Sequence, residues 1–218
     1  MIRRTNREEM FKLLETNPDW KVVDLASSNA GWKYADVFTD VNDHSEFYRD
    51  KYDGKKEFIQ CNVESNPFQD KEFDFVIASH ILEHVDDPFH FCKELTRIGK
   101  RGYIEVPTPL WDNLVDGPHF VKYGHKWWVT FDDADNSIVI NPKINVVNKF
   151  LSIKEHNYHM AFFRDSILTR LYWEDDITIK NGENIYTYND NRNLNFHFDG
   201  GKQKDWNHKF LFEFGSIK

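Results

Sequence analysis

The fold is decided by the stretch Phe73-Asp74-Phe75-Val76-Ile77-Ala78-Ser79, which runs directly into His80-Ile81-Leu82-Glu83-His84-Val85-Asp86-Asp87-Pro88. The first part, from Phe73 to Ala78, is an apolar run of strand length, typical of a strand buried on both faces. The second part ends in the chemistry of a helix start, since aspartates are good N-cap residues and proline suits the first helical position. The spacing therefore predicts a strand, a turn and a helix in immediate succession.

The residues after Pro88 predict an amphipathic helix. One face of this helix is apolar and consists of Phe91, Cys92, Leu95 and Ile98. Gly99 or Gly102 is expected to end the helix, and the apolar run from Tyr103 to Val106 predicts the next strand. A strand, a helix and a second strand in this order are typical of a βαβ unit with parallel strands.

Similar short apolar runs precede this unit. They are Val22 to Leu25, Val37 to Val41 and Phe58 to Cys61, after a predicted helix from Arg7 to Leu14. The pattern predicts the α/β class, with a doubly wound and mainly parallel sheet. Little chain separates Gly31 from Val37, so we expect the first crossover helix to be very short or absent.

The second half of the chain is predicted to be rich in β-structure. The apolar runs at 127–131 and 137–140, on either side of Asp132 to Asn136, predict a β-hairpin, and residues 142–153 can form a helix. Strand-like runs follow Trp173, and Asn181-Gly182 is expected to form a hairpin turn. We expect residues 1–218 to form a single domain. Its halves would be a cofactor-binding part, 1–107, and a lid with a β-rich part, 108–218.

Polar and small residues follow the predicted strands. Asp24 is followed by Ala26 and Ser28, Asp40 ends the second apolar run, and Asn62 follows the third. In a doubly wound sheet, ligands bind beyond the carboxyl ends of the strands. A carboxylate there can accept hydrogen bonds from a ribose diol, and an amide can meet the edge of an adenine.

The segments quoted above also resemble a known family. In order and spacing, four segments resemble the type 11 group of class I S-adenosylmethionine-dependent methyltransferases. They are Asn66 to Asp74, residues 73–88, Glu94 to Ile98 and Gly102 to Pro107. The similarity covers about Lys21 to Pro107 and continues more weakly to Trp128. It implies a Rossmann-like fold and S-adenosylmethionine as the cofactor.

The resemblance also implies site residues. The loop after Asp24 would hold the methionine part of the cofactor, Asp40 the ribose, and Asn62 and Val63 the adenine, with His80 near the sulfonium. The full set expected at the cofactor is Asp24, Ala26, Ser28, Asp40, Asn62, Val63, Ser79 and His80.

One departure from the family concerns its glycine-rich pattern. That pattern would place glycine at 26, 28 and 30, where this chain has Ala26, Ser28 and Ala30, followed by Gly31. Alanine and serine disfavour the positive φ that glycine adopts freely. A catalytically silent module with this fold, binding a partner or another ligand, is therefore the alternative to an enzyme.

The leading function is methyl transfer to a small-molecule or saccharide-like acceptor. Such a reaction depends mainly on alignment of the reactants, and an oxygen or nitrogen nucleophile can need a base, for which His80, His119 and His125 are candidates. The aromatic-rich segment from Trp111 to Trp128 follows the fifth predicted strand, so we expect the acceptor to enter beside it.

A more remote alternative is an inverted zinc peptidase, because His80, Glu83 and His84 match its H-x-x-E-H pattern. In those enzymes the histidines lie on a long helix, whereas here the motif directly follows a strand and Pro88 comes about a turn later. With only two cysteines, far apart, a cysteine-rich zinc site is also disfavoured. The sequence thus predicts no metal.

Charge and composition limit the partners. A net charge of −8 argues against nucleic acid as the default partner, because phosphate binding needs a basic face. No apolar run approaches the ~20 residues that cross a bilayer, and Met1 to Arg4 lead into polar sequence unlike a secretory signal. We expect a cytoplasmic protein that binds no membrane. The sequence leaves the oligomeric state open.

Overall fold

The computed structural model describes residues 1–109, 111, 124–143, 167–182, 198–199 and 202–203. Its helices are α1 (Arg7–Thr16), α2 (Ser45–Tyr52) and α3 (Pro88–Ile98), with a 3₁₀ turn at Val63–Ser65. Its strands are β1 (Ile2–Arg4), β2 (Val22–Leu25), β3 (Val37–Asp40), β4 (Glu57–Gln60), β5 (Phe75–Ser79), β6 (Arg101–Pro107), β7 (Trp127–Asp132), β8 (Ser137–Pro142), β9 (Leu168–Glu174), β10 (Ile179–Asn181), β11 (Phe198–Asp199) and β12 (Lys202–Gln203).

A seven-stranded sheet forms the centre of the fold, in the order β1-β9-β6-β5-β2-β3-β4. Five neighbouring strands of the sheet are parallel to one another, namely β6, β5, β2, β3 and β4. Strand β9 is antiparallel to β6, and β1 is antiparallel to β9. This confirms the predicted α/β class with a Rossmann-like, mainly parallel sheet. The antiparallel strands β9 and β1 were not predicted from the sequence.

The chain reverses its direction of winding between β2 and β5. From β2 it moves outward to β3 and β4, and then returns to place β5 on the other side of β2. At such a switch point the connections leave the strands in opposite directions and open a crevice at their carboxyl ends. The candidate site is therefore expected between the loops that follow Leu25 and Ser79.

Both faces of the sheet are covered, which explains the continuous apolar runs. Side chains alternate between the faces along each strand. On β5, Phe75 and Ile77 pack in a buried cluster with residues of α1 and α2, whereas Val76 and Ala78 pack in another with α3 and the β7–β8 hairpin. Each large apolar side chain buried in this way stabilises the fold by roughly 1.5–3 kcal/mol.

Helix α3 begins and packs as its sequence predicts. The Asp87 carboxylate accepts hydrogen bonds from the backbone N–H groups of Phe89 and His90, both at 2.9 Å, and Pro88 occupies the first turn. The buried face includes Phe91, Cys92, Leu95 and Ile98, and Gly99 is the C-cap. This geometry fixes the turn between β5 and α3, and therefore the position of the residues in that turn.

Several other predictions can be compared with the structure. No helix lies between β2 and β3, as expected, and β7 and β8 form the predicted antiparallel hairpin. The prediction that every apolar run is fully buried was wrong for β4, which lies at the sheet edge with Phe58 and Ile59 partly exposed.

Further predictions on the second half fall outside the described residues. They are most of the helix at 142–153 and most of the strand-like runs beyond Gly182, whereas the run predicted at Ile177 to Lys180 overlaps β10. None of the described helices is long and apolar enough to cross a membrane.

Candidate functional site

The loop after β2 keeps a glycine-like shape without the expected glycines. Ala26 and Ser28 have φ values of 51° and 46°, in the left-handed region that side chains disfavour. The neighbouring strand holds this shape, because the Ala26 N–H donates to Thr39 Oγ1 at 3.2 Å and the Ser28 N–H donates to Asp40 Oδ2 at 3.1 Å. Both residues are small, so the loop presents mostly backbone to the crevice.

Tyr48 of α2 contacts this loop through its hydroxyl group. Its buried hydroxyl lies 2.7 Å from the carbonyl oxygen of Ser28 and 2.9 Å from Ser27 Oγ, and it accepts a hydrogen bond from the Gly31 N–H at 3.1 Å. A Cβ added to Gly31 would lie within 2.6 Å of atoms of Phe38 and Tyr48. Gly31 is therefore needed for close packing, and its φ is not in the left-handed region.

Asp40 lies at the carboxyl end of β3 and is 8% exposed. Besides the Ser28 N–H, it accepts hydrogen bonds from the backbone and side chain of Asn42 at 2.9 and 3.3 Å. A carboxylate has about four acceptor positions, so these three bonds leave about one for a further donor.

Asp24 is a buried carboxyl group beneath the same loop. It is 2% exposed, and its Oδ2 accepts the Trp32 N–H at 2.7 Å. Burial raises the pKa of Asp24 to about 7, although the Trp32 hydrogen bond and the nearby charge of Arg7 both act to lower it. Its carboxyl group holds the end of the loop in place.

Asn62 and Val63 follow β4, farther along the same edge. The Asn62 side chain caps the short 3₁₀ turn by accepting the Glu64 N–H at 2.9 Å, and Val63 is 5% exposed. The Asn62 amide nitrogen and the Val63 backbone thus lie near the edge of the sheet where an adenine is expected.

The segment after β5 begins with a third left-handed residue, His80, whose φ is 57°. Its backbone N–H donates to the Glu105 carbonyl at 2.7 Å. Its ring lies between two carboxylates, with Nδ1 3.5 Å from Glu83 Oε1 and Nε2 3.3 Å from Glu105 Oε1. The His80 side chain is 43% exposed; partial loss of solvent disfavours the charged ring, but both carboxylates stabilise it and raise the pKa of His80 to about 9.

Glu105 is the centre of a buried ionic network on β6. Its carboxylate is fully buried and accepts hydrogen bonds from Arg7 Nε at 3.0 Å, Arg170 Nε at 2.7 Å and the Tyr103 hydroxyl at 2.6 Å. Burial alone would raise its pKa, but the hydrogen bonds from His80 and Arg7 hold it far below the ordinary range. The network ties α1, β6 and β9 to the turn after β5.

A second buried acid, Glu83, lies on the other side of His80 and is 1% exposed. It forms a cluster with His84 and His125 in which one ligand atom from each residue lies within 4.8 Å of the others. The rings of His84 and His125 meet edge to face, with centroids 4.6 Å apart. The chain thus brings together two residues of the turn after β5 and a residue just before β7.

The predicted site residues fall into two groups around the switch point. Ala26, Ser28 and Asp40 meet at the loop after β2, and Ser79 and His80 lie across the crevice. Ser79 Oγ approaches Glu105 at 3.5 Å. His125 lies with Glu83 and His84, and His119 falls outside the described residues.

Sequence reasoning missed four residues that organise this edge, namely Arg7, Tyr48, Glu105 and Arg170. One signal was available, because Glu105 stands between Ile104 and Val106 in an apolar strand, and charged groups are buried there only when paired. Tyr48 gave no such signal, since its role depends on the fold of a loop 20 residues earlier.

Comparison with known proteins finds a family similarity over part of the chain. A family model described as a methyltransferase domain matches residues 25–104, the part that contains the loop after β2, Asp40 and the turn after β5. This confirms the predicted resemblance to class I S-adenosylmethionine-dependent methyltransferases. No curated protein matches the chain.

Among solved structures, the chain is similar to the YcgJ protein of Bacillus subtilis, with 16% identity over 54% of this chain and 56% of that one and a TM-score of 0.39. It is also similar to the PH0226 protein of Pyrococcus horikoshii, with 21% identity, coverage of 63% and 70%, and a TM-score of 0.39. A third is the trans-methyltransferase CalH in complex with S-adenosylhomocysteine, with 16% identity, coverage of 51% and 37%, and a TM-score of 0.39. The chain spans about half the length of the first structures it matches.

Proposed function

We propose that this protein transfers a methyl group from S-adenosylmethionine to a small-molecule or saccharide-like acceptor. The observation that carries the proposal is the loop after β2, which turns through left-handed Ala26 and Ser28 and closes onto Asp40 at the switch point. Left-handed conformations of non-glycine residues cost free energy and tend to persist at functional sites. Here the costly shape recurs at two of the three positions where the family has glycine.

The residues at the edge fit such a cofactor. The loop exposes backbone beside the small residues Ala26 and Ser28, where a methionine chain can approach closely. Asp40 keeps about one acceptor position for a ribose hydroxyl, and Asn62 and Val63 lie where an adenine would be held. When bound, the cofactor supplies an electrophilic methyl group on a sulfonium.

His80 positions groups in this proposal and does not serve as the base. Both of its ring nitrogens face carboxylates, of Glu83 and Glu105, so neither nitrogen is directed toward an acceptor proton. The proposed base is instead a histidine of the segment before β7, either His119 or His125. Alignment of the reactants supplies most of the rate enhancement in such a transfer.

The acceptor is proposed to enter beside the segment from Trp111 to Trp128. This segment follows β6, whose carboxyl end lies at the same edge as Asp40 and His80. Among the described residues of the segment, Trp111 and Trp128 are buried and His125 is half-buried, so His125 can offer a titratable group to the acceptor. A single domain over residues 1–218, in the cytoplasm, remains part of the proposal.

Calorimetry with S-adenosylhomocysteine tests the cofactor half of the proposal. We expect the chain to bind it, and Asp40→Ala to weaken binding by about 1.5–3 kcal/mol, the range for a hydrogen bond to a charged group. The matched control is Asp50→Ala, since Asp50 is exposed on α2 and should leave the affinity unchanged. Absence of both heat and a rise in Tm at about 1 mM ligand would favour the catalytically silent module instead.

Turnover tests the acceptor half. With an acceptor in hand, His119→Ala or His125→Ala is expected to slow methyl transfer by ~10²-fold or more if that residue is the base, with cofactor affinity unchanged. If both variants only lower Tm while the folded fraction keeps full activity, the histidines pack the structure and take no part in proton transfer.

A further inference from the structure

The buried carboxylate of Glu83 is unusual among the described residues. Its two oxygens are buried and have no hydrogen-bond partner within the part of the chain that the structure describes. A buried carboxylate without hydrogen bonds costs several kcal/mol and normally persists only with a charge or a metal beside it. His80 supplies one such charge, because its Nδ1 lies 3.5 Å from Glu83 Oε1, and Nε2 of His84 lies 3.9 Å from the same oxygen.

Backbone hydrogen bonds hold the two segments of this cluster together. The Glu83 carbonyl accepts the N–H groups of Lys126 and Trp127 at 2.8 and 3.3 Å, and the Trp127 indole N–H donates to the Val85 carbonyl at 2.8 Å. Lys126 also forms an ion pair with Asp86. His125 is therefore held beside Glu83 and His84 by the fold itself, although His84 and His125 are 41 positions apart in the sequence.

We propose that Glu83, His84 and His125 bind a divalent transition-metal ion, with zinc as the best-matched ion. Two imidazoles and one carboxylate are a ligand set that zinc takes, and they leave a fourth position for water or another ligand. In a tetrahedral site with bonds of about 2.0–2.1 Å, ligand atoms lie roughly 3.4 Å apart. The atoms here lie within 4.8 Å of one another, so side-chain adjustments of about an ångström complete the site.

This ligand set differs from the H-x-x-E-H set considered from the sequence, in which His80 and His84 hold the metal and Glu83 activates water. His80 is not part of the cluster of Glu83, His84 and His125; its Nδ1 lies 3.5 Å from Glu83 and its Nε2 faces Glu105 at 3.3 Å. The residues between His80 and His84 form a turn and no helix. The proposal also departs from the expectation that the chain binds no metal, because His125 approaches the turn only in the folded structure.

The metal site does not rest on the proposed methyl transfer. A metal at this position joins the turn after β5 to the residue that precedes β7, and so fixes the end of the segment proposed to meet the acceptor. With a metal bound, His125 uses a ring nitrogen as a ligand and is not available as a base.

Zinc binding to the full chain tests the proposal. The purified protein is treated with a chelator, dialysed against Zn²⁺ alone and analysed for metal content, with Co²⁺ absorption as a readout of geometry. We expect one equivalent of zinc per chain and a tetrahedral Co²⁺ spectrum. His84→Ala and His125→Ala should each weaken binding by more than ~100-fold, since loss of outer-shell partners alone costs about 10–100-fold.

Two further variants separate the ligand sets. His90→Ala removes an exposed histidine on α3 and should bind zinc like the wild type, whereas His80→Gln should retain the metal if Glu83, His84 and His125 are the ligands. A folded wild-type chain that takes up no zinc overturns the proposal, as does a His125→Ala variant that binds zinc as tightly as wild type. Loss of zinc in His80→Gln but not in His125→Ala assigns the site to the other set.

Unfolding curves recorded with and without zinc keep the result interpretable if a variant is unstable. Zinc should raise the Tm of the wild type by mass action and leave that of His125→Ala unchanged. Calorimetry with S-adenosylhomocysteine on the chelator-treated protein reports on the cofactor site separately, so either proposal can fail alone.

Discussion

Two segments lie on either side of the switch point, and the structure holds them in different ways. The loop from Leu25 to Gly31 is held mainly by backbone groups that bond to Tyr48, Thr39 and Asp40. The turn from Ser79 to Asp87 is held largely by charged side chains around Glu105 and Glu83. One wall of the crevice therefore depends on backbone shape, and the other depends on the charges of buried side chains.

The largest expected effect tests the electrostatic wall. Glu105→Gln removes the charge that Arg7, Arg170 and His80 share, and leaves the buried Arg170 guanidinium without its counter-charge. Breaking a buried ion pair costs about 3–5 kcal/mol of the free energy of unfolding. Denaturant unfolding measures this loss.

The control is Glu9→Gln, because Glu9 pairs with Arg3 at a site where both side chains are more than 40% exposed. Exposed pairs contribute about 0–1 kcal/mol. If both variants lose the same small amount, the contrast between the two walls does not hold.

The second prediction concerns the one buried acid beneath the backbone-held loop. The pKa of Asp24 is about 7 in the folded protein against 3.8 ordinarily, because burial disfavours its charge. The folded state therefore retains a proton that the unfolded state loses, so this contribution to stability is complete below pH 3.8 and is lost as the pH rises to about 7. Relative to wild type, Asp24→Asn should gain up to about 4 kcal/mol between pH 4 and pH 8.

Unfolding curves at a series of pH values measure this gain. Asp43→Asn is the control, since Asp43 is exposed and its pKa is lowered by its hydrogen bonds to Ser45. The difference between that variant and wild type should stay flat above about pH 5. A flat difference for Asp24→Asn as well would show that Asp24 is ionised in the folded protein throughout this range.

The third prediction tests the support of the loop itself. Tyr48→Phe removes a hydroxyl that bonds to the Gly31 N–H and the Ser28 carbonyl, and should cost about 1–3 kcal/mol because those groups lose a partner. Tyr52→Phe is a closely matched control. Tyr52 stacks on the same Phe38 ring, and its hydroxyl has no hydrogen-bond partner among the described residues.

Calorimetric Tm values for the two variants give the comparison. An equal loss in Tyr48→Phe and Tyr52→Phe would mean that ring packing matters and the hydroxyl contacts to the loop do not.

The smallest effect is expected at the left-handed residues. Ser28→Gly relieves a φ of 46° while its backbone N–H still bonds to Asp40, so we expect a gain of less than ~1 kcal/mol after the added freedom of the unfolded chain is subtracted. Asp53→Gly relieves a φ of 52° at the end of α2, away from the crevice. If thermal unfolding shows similar gains in stability for both variants, the gain comes from relief of the left-handed backbone conformation. A loss in Ser28→Gly alone would assign a role to the serine side chain.

Local chemistry explains which features could be predicted from the sequence. Helix α3 was predictable because Asp87, Pro88 and the spacing of Phe91 and Leu95 all act within one segment. The absence of a helix between β2 and β3 was predictable because the connection is too short. The β7–β8 hairpin followed from two apolar runs around Asp132 to Asn136.

Features that depend on distant partners could not be predicted. Glu105 meets Arg7 and Arg170 from 98 and 65 residues away, and no local pattern pairs one arginine with one glutamate. Likewise, the pattern around Glu83 gives no sign of His125. The positive φ of Ala26 and Ser28 opposes their local preference, and exists because Thr39, Asp40 and Tyr48 hold the loop.

The pairing of β1 with β9 has a consequence for biosynthesis. Ile2 lies opposite Trp173 and Arg4 lies opposite Leu171, so the strand that pairs with β1 comes about 170 residues later in the chain. At roughly 5–20 residues per second, a ribosome takes on the order of 10–30 s to deliver that partner. During this interval β2 to β6 can assemble, whereas Ile2, buried in the finished sheet, remains in water. Strand β1 is therefore made before β2 to β6 but joins the sheet only after β9 has been made.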